Sequence, residues 1–116
     1  MIRRKEERTA QIQQNMRGGI GEVVMTLICE NNEELSEKGR LFSHASIAPG
    51  NSIGLHTHKG DSETYYFLKG KGEYNDNGKI TEVFPGDLTI CKDGQSHSIL
   101  NTGDEPLEFI ALILFT

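Results

Sequence analysis

From Val23 to its end the chain is a succession of short runs rich in Val, Ile, Leu, Thr, Phe and Tyr, broken every few residues by Gly, Asn, Asp or Pro. Such runs suit strands, because branched and aromatic side chains pack well on a pleated surface. The predicted strands are Val23–Cys29, Leu41–Ala48, Ile53–His58, Glu63–Lys69, Gly72–Tyr74, Ile80–Phe84, Leu88–Cys91, Ser96–Leu100 and Leu107–Phe115. Between them, Asn75-Asp76-Asn77-Gly78 offers an Asn-Gly pair that tolerates positive φ at both centres of a type I′ hairpin. Pro49-Gly50, Pro85-Gly86-Asp87, Asp93-Gly94 and Asn101-Thr102-Gly103-Asp104 are further turn signals. Many short strands at regular spacing point to an all-β sandwich or barrel.

Little else competes with that reading. Asn32 to Gly39 suits one or two helical turns ended by glycine, and its Glu33, Glu34, Glu37 and Lys38 read as a solvated face. Residues 1–16 are polar, and a strand, a short helix and a loose arm remain open for them. Arg17-Gly18-Gly19-Ile20-Gly21 has the look of a phosphate-binding loop, but it lacks the Gly-Lys-Ser/Thr ending and leads into a strand, so it reads as a simple turn. Cys29 and Cys91 each sit in an apolar run and read as small hydrophobes, which fits a reducing, cytoplasmic compartment. The net charge of −5 argues against nucleic acid as a partner, and no run of about 18 apolar residues argues for a membrane span. The basic start is followed by no apolar segment, so it does not read as a secretory signal. At 116 residues one domain is expected, with 1–20 as an N-terminal arm and 41–116 as the core barrel.

Three of the four histidines stand in a chemical pattern. His56 and His58 are two apart, so on a strand both imidazoles emerge on one face. Lys59-Gly60-Asp61-Ser62 turns the chain, and Glu63 opens the return strand, where its carboxylate can reach back over that face. His97 lies on a later strand. Imidazoles with one carboxylate form a mixed N/O donor set that suits a divalent transition metal (Mn, Fe, Co, Ni, Cu or Zn) over Ca or Mg, and four such donors leave about two octahedral positions open.

These residues carry a resemblance. Gly50, His56-Thr57-His58, Glu63 and Gly70 at their spacings resemble the first signature motif of the cupins, and Gly86, Lys92-Asp93-Gly94, His97 and Asn101 resemble the second. The one departure is Lys92, where the family pattern has proline. The resemblance implies a single jelly-roll barrel, a double-stranded β-helix of six to eight strands, with a metal in its mouth. It implies His56, His58, Glu63 and His97 as metal ligands. It makes Gly50, Gly70, Gly86 and Gly94 turn positions where a side chain would clash, and Asn101 an anchor for a turn.

Period two from Glu63 places Tyr65 and Phe67 on its face and Tyr66 and Leu68 on the other. Tyr65 is therefore a candidate pocket wall carrying a hydroxyl, and with Glu63 a candidate catalytic group; plain core packing is its other reading. His44 lies opposite the series Leu41, Ser43, Ala45, Ile47 and reads as a hydrogen-bonded surface residue, though a place in the pocket is open if that series packs on the second sheet. The run Leu107–Phe115 is apolar on both parities after Ile110, as for a strand buried on both faces within the barrel or at a subunit interface; with the N-terminal arm it suggests a homodimer. The function classes left are a metal-dependent enzyme for a small organic acid, enediol or sugar derivative (dioxygenase, decarboxylase or isomerase) and a non-catalytic binder or sensor of such a small molecule.

Overall fold

The computed structural model describes residues 1–116 as ten strands in two antiparallel sheets, with three single 3-10 turns and no longer helix. No helix is long and apolar enough to cross a membrane. In chain order the strands are β1 (Ala10–Gln14), β2 (Glu22–Leu27), β3 (Gly39–Ile47), β4 (Ser52–Thr57) and β5 (Asp61–Lys69), then β6 (Gly72–Asp76), β7 (Lys79–Val83), β8 (Leu88–Cys91), β9 (Ser96–Asn101) and β10 (Leu107–Phe115). The larger sheet runs β1-β2-β3-β10-β5-β8 and the smaller β4-β9-β6-β7. Ten strands exceed the expected six to eight, and the N-terminal segment left open by its sequence supplies the edge strand β1. Asn77 and Gly78 both take positive φ between β6 and β7, as the type I′ expectation requires.

The two sheets face each other across one apolar interior. Inward positions alternate along each strand: Val23 and Met25 on β2, Ala45 and Ile47 on β3, Tyr65 and Phe67 on β5, Phe109 and Ala111 on β10 are all buried. The two parities of β10 have a simple explanation, since it lies between β3 and β5 in the middle of the larger sheet. Its inward residues Leu107, Phe109, Ala111 and Ile113 are buried, while Ile110 and Leu112 are half-buried by lateral neighbours. Asn101 is buried and anchors the last turn as expected, donating to the carbonyls of Ile47 and Glu105 (both 2.8 Å) and accepting from the Gly103 N–H (2.9 Å).

Two expectations need correction, and the two readings of His44 are resolved in favour of the hydrogen-bonded surface residue. The helical segment shrinks to one 3-10 turn, Glu33–Leu35, closed by Ser36 and Glu37 in the left-handed region, while Gly39 begins β3. Gly50, Gly86 and Gly94 have open space where a Cβ would stand, so their positive φ, not a clash, calls for glycine; only Gly70 combines both, since a Cβ there would lie 2.6 Å from the Pro106 carbonyl oxygen. His44 does not reach the pocket. The interior of the barrel and the face packed on the second sheet are one surface, already taken by Ser43, Ala45 and Ile47, so His44 turns outward and meets Glu108 at 3.0 Å.

β4 contains the one irregularity that shapes the site. Ser52 and Ile53 pair with Leu100 and Ile99, but the next pair is His56 with His97, so Gly54 and Leu55 together oppose a single residue of β9. This β-bulge shifts the alternation by one step. Ile53 and His58 are buried and His56 lies against them, while Leu55 is 60% exposed. Strict alternation would have put Ile53 and His56 on opposite faces.

The N-terminus is tied down by charge. Arg3 forms a two-pronged contact with Glu34, Nη1 to Oε1 at 2.9 Å and Nη2 to Oε2 at 2.6 Å. That hydrogen bond, with a further one from the Glu30 N–H, lowers the Glu34 carboxyl to about 2. A carboxyl depressed in the folded state adds stability above its unfolded value near 4.5, and the gain fades as pH falls toward 2. Arg3→Ala is therefore expected to lower the melting temperature at pH 7 and to leave it nearly unchanged at about pH 2; equal losses at both values would show that Arg3 acts through packing alone.

Candidate metal centre

His56 at the end of β4, His58 just beyond it, Glu63 early in β5 and His97 on β9 converge inside the mouth of the barrel. Two different devices bring them together. The pairing of β4 with β9 sets His56 directly opposite His97, and the short turn after His58 returns the chain so that Glu63 lies on the same inward face. One ligand atom from each of the four lies within 4.8 Å of the others. Glu63 Oε1 is 3.2 Å from His58 Nε2, 3.1 Å from His97 Nε2 and 3.8 Å from His56 Nε2. His97 Nε2 is 3.1 Å from His56 Nε2 and 3.2 Å from His58 Nε2.

The outer nitrogens explain why the inner ones point to a common centre. His56 Nδ1 lies 2.7 Å from the Gly54 carbonyl, His58 Nδ1 2.7 Å from Asp61 Oδ1, and His97 Nδ1 2.8 Å from the Tyr74 hydroxyl. A carbonyl and a carboxylate only accept, so Nδ1 of His56 and His58 carries the proton and, in the neutral ring, Nε2 presents a lone pair. The Tyr74 hydroxyl can donate or accept, and it accepts from His97 Nδ1 in the tautomer that leaves a lone pair on Nε2. Asp61 is held in turn by the Arg40 guanidinium, Nε to Oδ2 at 2.8 Å. Lone pairs and a carboxylate facing one another at such distances are reconciled by a cation among them. The donor set thus fits a transition-metal ion, and the outer contacts are those that orient metal-bound histidines.

The electrostatics follow the same geometry. Burial pushes the Glu63 carboxyl up, but when the rings of His56, His58 and His97 carry a proton toward it in place of a cation, their hydrogen bonds outweigh burial and hold the group well below the usual carboxylate range. The hydrogen bond to Glu63, then that to Asp61, raises His58, whereas burial lowers His97. Tyr65 is 2% exposed and stacks on His97 with ring centroids 5.1 Å apart; burial first, and the Glu63 charge after it, keep its phenol protonated far above neutral pH. Cys91 is also buried and its thiol is pushed up to about 11, chiefly by burial, so it behaves as the small hydrophobe expected. Neither cysteine is in a disulfide.

A cavity of about 170 Å³ opens onto His56, His58 and Glu63. Its walls are Met25, Leu41, Ile53, Tyr65, Phe109 and Ile113, with Gln11, Gln13, Met16, Arg17 and Arg40 completing the lining. Tyr65 thus fills both of its expected roles, packing in the core and walling the cavity. Sequence reasoning missed Asp61, although period two counted back from Glu63 reaches it. It also missed Tyr74, which depends on the register of β6 against β9, and the polar residues of the N-terminal segment, where no alternation marks an inward face.

A cupin-domain family model matches residues 43–113. The chain is 45% identical over 114 residues to an oxalate-binding protein of Thermotoga maritima, spanning 98% of this chain and 93% of that one. The crystal structure of a protein described as a predicted oxalate decarboxylase, from the same organism, superposes with a TM-score of 0.94 at 44% identity, covering 100% of both chains. An uncharacterized conserved protein with a double-stranded β-helix domain, from Klebsiella pneumoniae, is 28% identical with a TM-score of 0.68 over 79% of this chain and 76% of that one.

Proposed function

Because the chain belongs to the cupin family, we propose that it holds one divalent transition-metal ion through His56, His58, Glu63 and His97 and uses the centre to bind a small organic-acid anion. When bound, the ion supplies a Lewis acid with positions open to ligand oxygens. The chain's own part is to fix the donors and to shape what reaches them. Gly54, Asp61 and Tyr74 hold the three rings, Arg40 holds Asp61, and Met25, Leu41, Ile53, Phe109 and Ile113 wall the cavity with apolar surface.

The observation that carries the reading is the lining itself. Beyond the metal-binding set it contains no carboxylate and no imidazole, and its only further charged side chains are Arg17 and Arg40. Such a wall attracts an anion and provides polar anchors without a general base, as a binding site requires. The oxalate-binding relative supports the same class of ligand. Calorimetric titration of the metal-loaded protein with oxalate is expected to show saturable binding that vanishes after chelation. No binding with any of Mn, Fe, Co, Ni, Cu or Zn, or equal binding without metal, would refute it.

A second reading, an enzyme of the decarboxylase, dioxygenase or isomerase type, is favoured by one feature. The Tyr65 phenol lines the cavity and retains its proton beside Glu63, so it can serve as a proton donor with Glu63 as acceptor. Release of formate and CO2 from oxalate, or oxygen uptake with a keto acid, would favour this reading over the binder.

Tyr74→Phe probes the metal assignment from outside the donor set. Removing the hydroxyl that orients His97 is expected to weaken metal binding by about tenfold, the lower end for loss of such a partner, as read by competition with a chromogenic chelator. An unchanged affinity would mean that His97 needs no such support.

We also place the protein in the cytoplasm as a homodimer. Tyr66 pairs laterally with Leu88, and Thr64 with Ile90, so Tyr66, Leu88 and Ile90 form an exposed apolar strip on the outer face of the larger sheet, 47%, 57% and 48% exposed. A second copy covering that strip is the simplest way to bury it.

A further inference from the structure

The mouth of the cavity carries polar groups that the metal reading does not use. Gln11 and Gln13 lie on β1, opposite the buried Met25 and Val23 of β2, so they face the interior side of the sheet. Arg17 follows in the turn Met16–Gly18. All three line the cavity, all three are exposed, and none of their side chains has a hydrogen bond or ion pair within the protein. The contrast with Arg40 is sharp, since its guanidinium is already committed to Asp61. The centre also lies deep, with His58, Glu63 and His97 buried, whereas these three residues stand at the rim.

The backbone that presents Arg17 is strained and tightly held. Arg17 has φ 55 and ψ 33, and Asn15 has φ 51, so two residues other than glycine occupy the left-handed region within a single turn. Such conformations persist where packing enforces them, and they cluster at ligand clamps. Packing does enforce them here. A Cβ on Gly54 would overlap the Arg17 carbonyl oxygen, and one on Gly19 would overlap that of Ser52, so the turn sits directly on β4 beside the bulge. The glycine-rich stretch Arg17–Gly21, which reads as a simple turn in the sequence, is thus a docking device that holds one uncommitted guanidinium over the mouth.

We propose that Arg17, with Gln11 and Gln13, forms the outer half of the ligand site and selects small dianions, which carry one anionic group for the centre and a second for the rim. This rests on the organic-anion reading above and narrows it from any small acid to one with two charged ends. A guanidinium fork and two carboxamides match a carboxylate well, because each offers N–H donors in a planar arrangement. A monocarboxylate held at the centre feels the rim charge only at a distance and makes no fork contact there. The selecting residues lie outside residues 43–113, the span matched by the family model, in the N-terminal segment that the Thermotoga maritima relatives also span.

The test compares oxalate and malonate with formate and acetate on the metal-loaded protein, by calorimetry, for the wild type, Arg17→Asn and Arg17→Lys. Asparagine tolerates the left-handed region and so removes the charge without releasing the turn; lysine keeps the charge and loses the fork. The expected result is a loss of at least tenfold in affinity for a dianion with Arg17→Asn, partial recovery with Arg17→Lys, a much smaller loss for the monoanions and unchanged affinity for the metal. Dianion binding by Arg17→Asn equal to the wild type overturns the rim assignment alone. A parallel loss of monoanions or of metal also overturns it, because Arg17 would then act through the structure of the centre. Failure of the wild type to bind any of the four acids overturns the organic-anion reading and this one with it.

Discussion

A His56→Ala, His58→Ala double variant is expected to purify without metal under conditions in which the wild type retains a single ion per chain. Two of four converging donors are removed, and the remaining pair, Glu63 and His97, comes from separate strands with no chelate ring between them. Glu63 also loses two of the three histidines that, protonated in place of the ion, keep it ionised despite its burial. Its pKa then rises, because an isolated buried carboxylate is strongly disfavoured, and a protonated carboxyl is a poor ligand. The loss is thus nearly complete and not a graded weakening. Elemental analysis after dialysis gives the measurement, with a thermal melt to show that the barrel still folds; full metal content in a folded double variant would sink the assignment of these ligands.

Gly54→Ala is the second change expected to have a large effect, although it removes nothing. Gly54 does not need glycine for its φ; it needs it for space. The added methyl group would overlap the Arg17 carbonyl oxygen and meet the Gly19 nitrogen at 2.8 Å, both backbone atoms that no rotamer change can move. Either β4 shifts, or the segment that carries Met16 and Arg17 lifts away. Overpacking of this kind costs about 3 kcal/mol, which for a chain of this size lowers the melting temperature by about 10 °C. Metal affinity falls as well, because the Gly54 carbonyl is the group that orients His56. Gly60→Ala is the control: Gly60 has φ +79 but open space, so only the conformational cost of about 1 kcal/mol applies. Equal melting temperatures for the two variants would show that the close approach at Gly54 bears no load.

The contrast between those two glycines illustrates what a sequence reveals. Local relations are legible: His56 and His58 two apart, Glu63 across a short turn, Tyr65 two beyond Glu63, and an Asn-Gly pair between two strands. Each depends on chain geometry over a short stretch. The partners of the histidines divide along the same line. Asp61 was within reach of the same period-two count, whereas Tyr74 meets His97 only because β6 and β9 adopt one particular register. The cavity rim was harder still. β1 is exposed along its whole length, so no burial pattern in its sequence distinguishes Gln11 and Gln13 from Ile12 between them. His44 was legible too: two facing sheets enclose a single interior, Ser43 and Ala45 occupy it, and His44 takes the outward, hydrogen-bonded place expected of it.

The bulge at Gly54 and Leu55 works as a phase shift within β4. Ile53 and His56 are three residues apart, so their counts of in and out agree only because the bulge fits two residues into one outward position. A one-residue deletion at Leu55 would put them back into a single count. Ile53, His56 and His58 would then alternate inward as in a regular strand, so the deletion would remove the bulge and keep both imidazoles on the interior side. The bulge therefore lets β4 carry one residue more than strict alternation allows, while its apolar half and its ligand half still face one interior.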